Sequence, residues 1–292
     1  VPKCGSSFLN ALIKAPGACP AVPQDVIIHT ETFGPDNIYG FYQKYNWMNY
    51  CPGLEHWHLG EHYGFGRKYS QNWENKFKGH AVGMFREPGQ RLLSGWKDYR
   101  HSWPASQQRP PPASVLTYAA QVQGCMVKMM TRPGVSYQLA TNQNFGAIGP
   151  HWGGPCGEGP LPSREEVDLA KSRLEHFAFF GLVEEWKLSM CLFHKIVGGP
   201  CHMAEFVNSR TEDSSDGARP SHNTAPLMGF VDKYDTEFYE AAKKLFRANL
   251  VKHGVSHKSC SACYEEAGRS AVLIIKASQQ RGQQWDDDFT VA

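Results

Sequence analysis

Val1-Pro2-Lys3-Cys4-Gly5-Ser6-Ser7-Phe8-Leu9 opens the chain, and its reading decides the fold. Phe8, Leu9, Leu12 and Ile13 recur at helical spacing until Pro16 stops them. A turn of small residues feeding such a helix is the second half of a strand–loop–helix unit, whose strand would lie before Pro2. The first N–H groups of a helix have no partner within it, and the helix dipole favours negative charge there, so the turn is an anion site by construction. Lys3 adds a point charge, and Ser6 and Ser7 add hydroxyl donors. The Lys precedes the Gly, and no Gly-Lys-Ser/Thr follows, so this is not the loop of magnesium-dependent triphosphate hydrolases. A plain strand–helix turn is the competing reading.

Working outward, Val26-Ile27-Ile28-His29 reads as the next strand, with Glu31 two residues on. His80 to Phe85 reads as a buried strand, followed by Arg86-Glu87-Pro88 and a helix through Tyr99. Arg86 thus ends a strand, where the ligand crevices of open parallel sheets lie. Ser94 falls about two helical turns later. Arg91 reads as a solvated helix charge. Ser114 to Met130 predicts one helix, and Ser163 with Glu166 a capping box. Phe179 to Val183 reads as a buried strand, Trp186 to Ile196 as a helix, and Asp235 as the cap of a last helix through Lys252 closed by Gly254. Gly146 to Pro162 and Asn208 to Thr224 read as loops. Apolar strands alternating with amphipathic helices predict an α/β single domain with a mostly parallel central sheet flanked by helices. Its expected extent is residues 1–276, with a polar tail at 277–292.

The composition is that of a globular chain: 292 residues, 41% hydrophobic and 20% charged, which excludes wholesale disorder. Lys+Arg 30 against Asp+Glu 28 leaves a net charge of +2, so no broad basic field exists for nucleic acid. Any anion must be gripped by a local pocket. No apolar run approaches the ~18 residues of a membrane span, and no membrane contact is expected within this chain. The start at Val1 without Met suggests that upstream residues have been trimmed. The 9 cysteines are odd in number, which leaves at least one thiol unpaired within the chain. Cys260 and Cys263 follow His253 and His257 at a spacing compatible with zinc, but a local disulfide or free thiols are the preferred reading.

Pro2-Lys3-Cys4-Gly5-Ser6-Ser7-Phe8-Leu9 resembles the 5′-phosphosulfate loop, P-K-x-G-[ST]-[ST]-x-L, of sulfotransferases that use 3′-phosphoadenosine 5′-phosphosulfate (PAPS). Phe85 to Trp96 resembles their 3′-phosphate motif, R-[DE]-P-x-x-R-x-x-S. Gln123 to Met126, then Ser163 to Phe193 with Phe180-Gly181-Leu182-Val183-Glu184-Glu185, is similar to the Golgi-type carbohydrate branch. The likeness spans most of Val1 to Leu250 and is loose between motifs; Cys4 stands where Thr or Val is more usual.

The resemblance implies a P-loop-like sulfotransferase fold. Lys3, Gly5, Ser6, Ser7 and Phe8 would hold the 5′-phosphosulfate, and Arg86 and Ser94 the 3′-phosphate. Arg210 and Arg219 would reach a phosphate from a loop covering the nucleotide, against the default of solvated loop charges. The implied reaction moves a sulfuryl group from PAPS to an acceptor hydroxyl, on a glycan or a small hydroxylated molecule. It leaves adenosine 3′,5′-bisphosphate and needs no metal. A general base is His29 or Glu31, since both follow a strand on the expected sheet edge; an ordinary strand-end imidazole is the bland reading of His29. The related enzymes imply a Golgi-lumen location behind an upstream anchor, with the cytoplasm as the alternative. A catalytically silent nucleotide- or glycan-binding module remains the competing function.

Overall fold

A computed structural model describes residues 4–5, 65, 73–97, 112–132, 156–157, 159–202, 205–206 and 222–268. The strand expected at Val26 to His29 and the tail from 277 lie outside them. A π-helical turn at Trp73–Phe77 leads into strand β1, Val82–Phe85, and helix α1, Pro88–Lys97. Helices α2, Val115–Gln121, and α3, Cys125–Thr131, follow, then α4, Arg164–Leu174. Strand β2 is Phe179–Leu182, helix α5 Trp186–Val197, and a 3-10 turn at Ala225–Leu227 precedes helix α6, Lys233–Lys252. Residues 261–268 are helical. The chain is therefore mixed helix and strand around a small parallel sheet.

β1 and β2 pair in parallel, from Val82 opposite Phe179 to Phe85 opposite Leu182. Phe179 and Phe180 point to opposite faces because side chains alternate along a strand. Phe179 meets Phe193 of α5 edge-on at 5.2 Å, while Phe180 meets Phe85, which meets Phe238 of α6 at 5.0 Å. Helices thus cover both faces, the condition a parallel pair requires. Each such fully buried side chain contributes about 1.5–3 kcal/mol through removal from water. Gly181 sits where a Cβ would come within 2.7 Å of Met84 Sδ and of Ser189 Cβ. That close approach lets the Ser189 hydroxyl bind β2 directly, accepting from Leu182 N at 2.9 Å and donating to Leu182 O at 3.0 Å.

The capping box of α4 forms as expected, with Glu166 N donating to Ser163 Oγ at 3.2 Å and Ser163 N to Glu166 Oε2 at 2.9 Å. Four other expectations are corrected. The helix expected over Ser114 to Met130 is two, because Gly124 adopts a left-handed φ of 71° between them. Asp235 does not cap α6; Asp232 does, accepting from Asp235 N at 3.1 Å. Asp235 instead reaches back to the first turn of α3, accepting from Met126 N at 3.0 Å and Val127 N at 3.2 Å. Arg91 is no solvated charge: it is 1% exposed, with Nη2 3.4 Å from Asp235 Oδ2 and 3.8 Å from Asp232 Oδ2. The helix-capping end of α6 and the middle of α1 are joined through that buried network.

The fourth correction concerns sulfur. Cys260 and Cys263 form neither a local bridge nor a thiol pair for zinc. Cys260 bonds Cys191 and Cys263 bonds Cys201, at sequence separations of 69 and 62 residues, and a third bridge joins Cys125 to Cys156. The first two staple the 261–268 helix and its approach to α5 and the segment after it. Disulfides persist in oxidising compartments, so three of them point to such an environment. Among the described residues, no helix is long and apolar enough to cross a membrane.

Candidate functional site

Parallel pairing fixes where the site lies. Phe85 opposes Leu182, and Val183 N donates to Phe85 O at 2.9 Å, so both strands end together. Arg86 leaves β1 and Glu184 leaves β2 at that shared carboxyl edge. Glu184 Oε1 accepts from Glu87 N at 3.0 Å, and its Oε2 accepts from the Tyr239 hydroxyl at 2.6 Å. Burial and the Glu184 hydrogen bond push the Tyr239 phenol well above its ordinary value, so it stays a donor. Glu87 folds over the start of α1 and accepts from Gly89 N at 2.9 Å and Gln90 N at 2.7 Å, meeting two of the helix's orphan donors. Two carboxylates therefore flank one guanidinium.

Arg86 is half-buried, and its Nε has no hydrogen-bond partner among the described residues. Burial lowers its pKa, against the raising influence of the Glu184 and Glu87 carboxylates. A buried unpartnered guanidinium N–H is costly, and an anionic ligand is one group that would satisfy it. The opening turn lies close by: Cys4 is 0% exposed, packs in the core with Phe85, Leu182 and Val183, and senses the positive charges of Arg91 and Arg86. Burial pushes its thiol up to about 11, which makes it a packing residue rather than a nucleophile. Gly5 adopts φ 75°, a conformation that L side chains rarely hold, so the turn needs a glycine there.

The structure thus brings Gly5 and Arg86 to one sheet edge through Cys4, with Ser94 half-buried on α1. Lys3, Ser6, Ser7, Phe8, His29, Glu31, Arg210 and Arg219 lie outside the described residues. The polar segment that carries Arg210 and Arg219 ends at this same helix. Gln90 Nε2 donates to His222 O at 2.9 Å, and His222 N donates to Gln90 Oε1 at 2.5 Å. Sequence reading quotes Glu184 only within the Phe180 to Glu185 stretch, with no site role, and gives none to Tyr239 or Gln90. An acid directly after the buried run Phe179 to Val183 was the available signal for Glu184; Tyr239 and Gln90 carry none.

A second cluster lies elsewhere, where His194, Cys201 and Glu205 place a nitrogen, a sulfur and a carboxylate oxygen within 4.8 Å of one another. No family model, curated protein or solved structure matches the chain. The functional reading therefore stands on the residues themselves.

Proposed function

We propose that the chain is a PAPS-dependent sulfotransferase with a P-loop-like fold, acting on an acceptor hydroxyl of a carbohydrate. The observation that carries this reading is Arg86, whose buried Nε lacks a partner among the described residues at the carboxyl edge of two parallel strands, beside the Cys4–Gly5 turn. An anion-seeking arginine and a left-handed glycine turn at one edge suit the two phosphate ends of a bisphosphorylated adenosine. Bound PAPS supplies the activated sulfuryl group. Lys3, Gly5, Ser6, Ser7 and Phe8 bind its 5′ end, and Arg86 and Ser94 its 3′-phosphate. Lys3 stabilises the charge that grows on the bridging oxygen as the bond to sulfur lengthens. His29 or Glu31 takes the acceptor's proton. Arg210 and Arg219 add positive charge from the loop that Gln90 anchors. The disulfides support a luminal setting, which we assign to the Golgi, as the catalytic part of a membrane-anchored protein.

Thermal shift with adenosine 3′,5′-bisphosphate, then transfer of labelled sulfate from PAPS to a panel of glycans and small alcohols, tests the reading. Nucleotide at ~100 times its Kd should stabilise the fold by about 2.7 kcal/mol. Arg86→Ala is expected to weaken bisphosphate binding by about 10–100-fold, the range for a hydrogen bond to a charged group. Unchanged affinity would remove Arg86 from the site. A stabilised protein that transfers no sulfate to any acceptor would instead favour a silent binding module.

A further inference from the structure

His194 and Glu205 are buried, their side chains 7% and 4% exposed. His194 Nδ1 lies 3.1 Å from the Gly198 carbonyl oxygen, and Nε2 lies 2.9 and 2.8 Å from the two Glu205 oxygens. A carbonyl only accepts, so Nδ1 carries a proton and the Nε2 edge is turned to Glu205 and Cys201. A ring held through Nδ1–H to a backbone carbonyl is the outer-shell support that metal-binding histidines use. Trp186 Nε1 donates to Glu205 O at 2.6 Å and Cys201 N to Glu266 Oε2 at 3.3 Å, which fixes the surrounding backbone. The third member, Cys201, is bonded to Cys263. Cys125, Cys156, Cys191, Cys201 and Cys260 are buried, whereas Cys263 is only partly so. Of the three bridges among the described residues, Cys201–Cys263 is the one with a partly exposed sulfur open to a reductant in solution.

We propose that opening the Cys201–Cys263 bridge creates a Zn²⁺ site formed by His194 Nε2, a Glu205 oxygen and the two released thiolates. These are four nitrogen, oxygen and sulfur donors, the set that tetrahedral zinc takes. A phosphine, or a dithiol in the cell, delivers two electrons to the S–S bond. With a phosphine, phosphorus takes oxygen from water and the two sulfurs take its two protons; with a dithiol, the reductant closes to its own disulfide and gives up two hydrogens. Zinc then displaces both thiol protons and the proton on Nε2. With the bridge closed, the His194 imidazolium donates to Gly198 O and to Glu205 and no thiolate is present at the site, so the oxidised chain holds a hydrogen-bonded dyad in the metal's place. The site is independent of the sulfuryl-transfer reading.

The experiment uses the whole oxidised protein treated with a limiting amount of phosphine, with alkylation and peptide mass mapping to identify the opened bridge. Co²⁺ serves as the spectroscopic probe and Zn²⁺ as its competitor. Among the six described disulfide cysteines, Cys201 and Cys263 should be alkylated first. The partly reduced protein should take up one equivalent of Co²⁺ with thiolate charge-transfer absorption, which Zn²⁺ abolishes; the oxidised protein should show none. His194→Gln and Glu205→Gln keep both sulfurs and should weaken uptake at least about tenfold, since even an outer-shell partner is worth that much. Should those variants not fold, the partly reduced native chain still decides: Zn²⁺ must raise its melting temperature and leave that of the oxidised chain unchanged. Opening of the Cys125–Cys156 or Cys191–Cys260 bridge before Cys201–Cys263, no metal uptake, equal uptake by the variants or no zinc-dependent melting shift would each overturn the proposal.

Discussion

Arg91→Ala is expected to cost the fold about 3–5 kcal/mol, the scale of breaking a buried ion pair from one side. Its guanidinium is 1% exposed, and Nη2 also donates to Val122 O at 3.4 Å. The two carboxylates it faces are themselves committed: Asp232 Oδ2 accepts from Gly124 N at 2.9 Å, and Asp235 accepts from two amides of α3. They cannot turn to solvent when the cation goes. Against a typical domain stability of about 5–15 kcal/mol, the loss is a large fraction of the whole. The effect should depend on pH. Burial, and then the charge of Asp232, pushes the Asp235 carboxyl up to about 7, while Arg91 works in the opposite direction. An unfolded Asp titrates near ~3.9, so its proton leaves the unfolded chain first. Stability from this group therefore falls as pH rises from the unfolded value towards the folded one. Without Arg91 the folded value climbs further, so the difference between variant and native chains should narrow as pH falls from neutral. Urea unfolding at several pH values measures this; a pH-independent loss below ~1 kcal/mol would show that the network is not coupled as its geometry indicates.

Lys3→Ala is expected to slow sulfuryl transfer by about 10²–10³-fold, the scale found when one preorganised donor to a developing oxyanion is removed. In the proposed reaction Lys3 would act on charge that is larger in the transition state than in bound PAPS, so the loss should fall on kcat more than on KM. The melting temperature should stay close to native. Single-turnover assays with saturating PAPS separate the two parameters. A rate within a few-fold of native would remove Lys3 from the chemistry and leave the turn as a binding feature alone.

What the sequence made legible was local. β1 and β2 stand out as short runs of aliphatic and aromatic residues bounded by polar turns, and both ends of the Ser163 capping box lie within one turn. Arg86 was placed correctly at a strand end because the strand before it and Pro88 after it are both local signals. Arg91 misled because its partners follow more than a hundred residues later; Gly124 and Asp232, in the same network, are 108 residues apart. From the chain alone, a basic residue on a helix looks solvated until something buries it. The same blindness governed sulfur: a CxxC invites a neighbourly pairing, while the true partners lie 69 and 62 residues upstream. At the site, Arg86, Ser94 and Gly5 were named from sequence. Tyr239 was not, since its role depends on α6 crossing the sheet edge beside Glu184.

The two bridges to the 261–268 helix bear on where this chain can be cut. α6 ends at Lys252 with its own closing turn, and a truncation there would look harmless by secondary structure. It would strand Cys191 and Cys201 without their mates. In an oxidising environment, two orphan sulfhydryls are an invitation to mixed disulfides with other chains. The minimal folding unit therefore runs through Cys263, and covalent aggregation, rather than loss of a helix, is the failure that a shorter version would show.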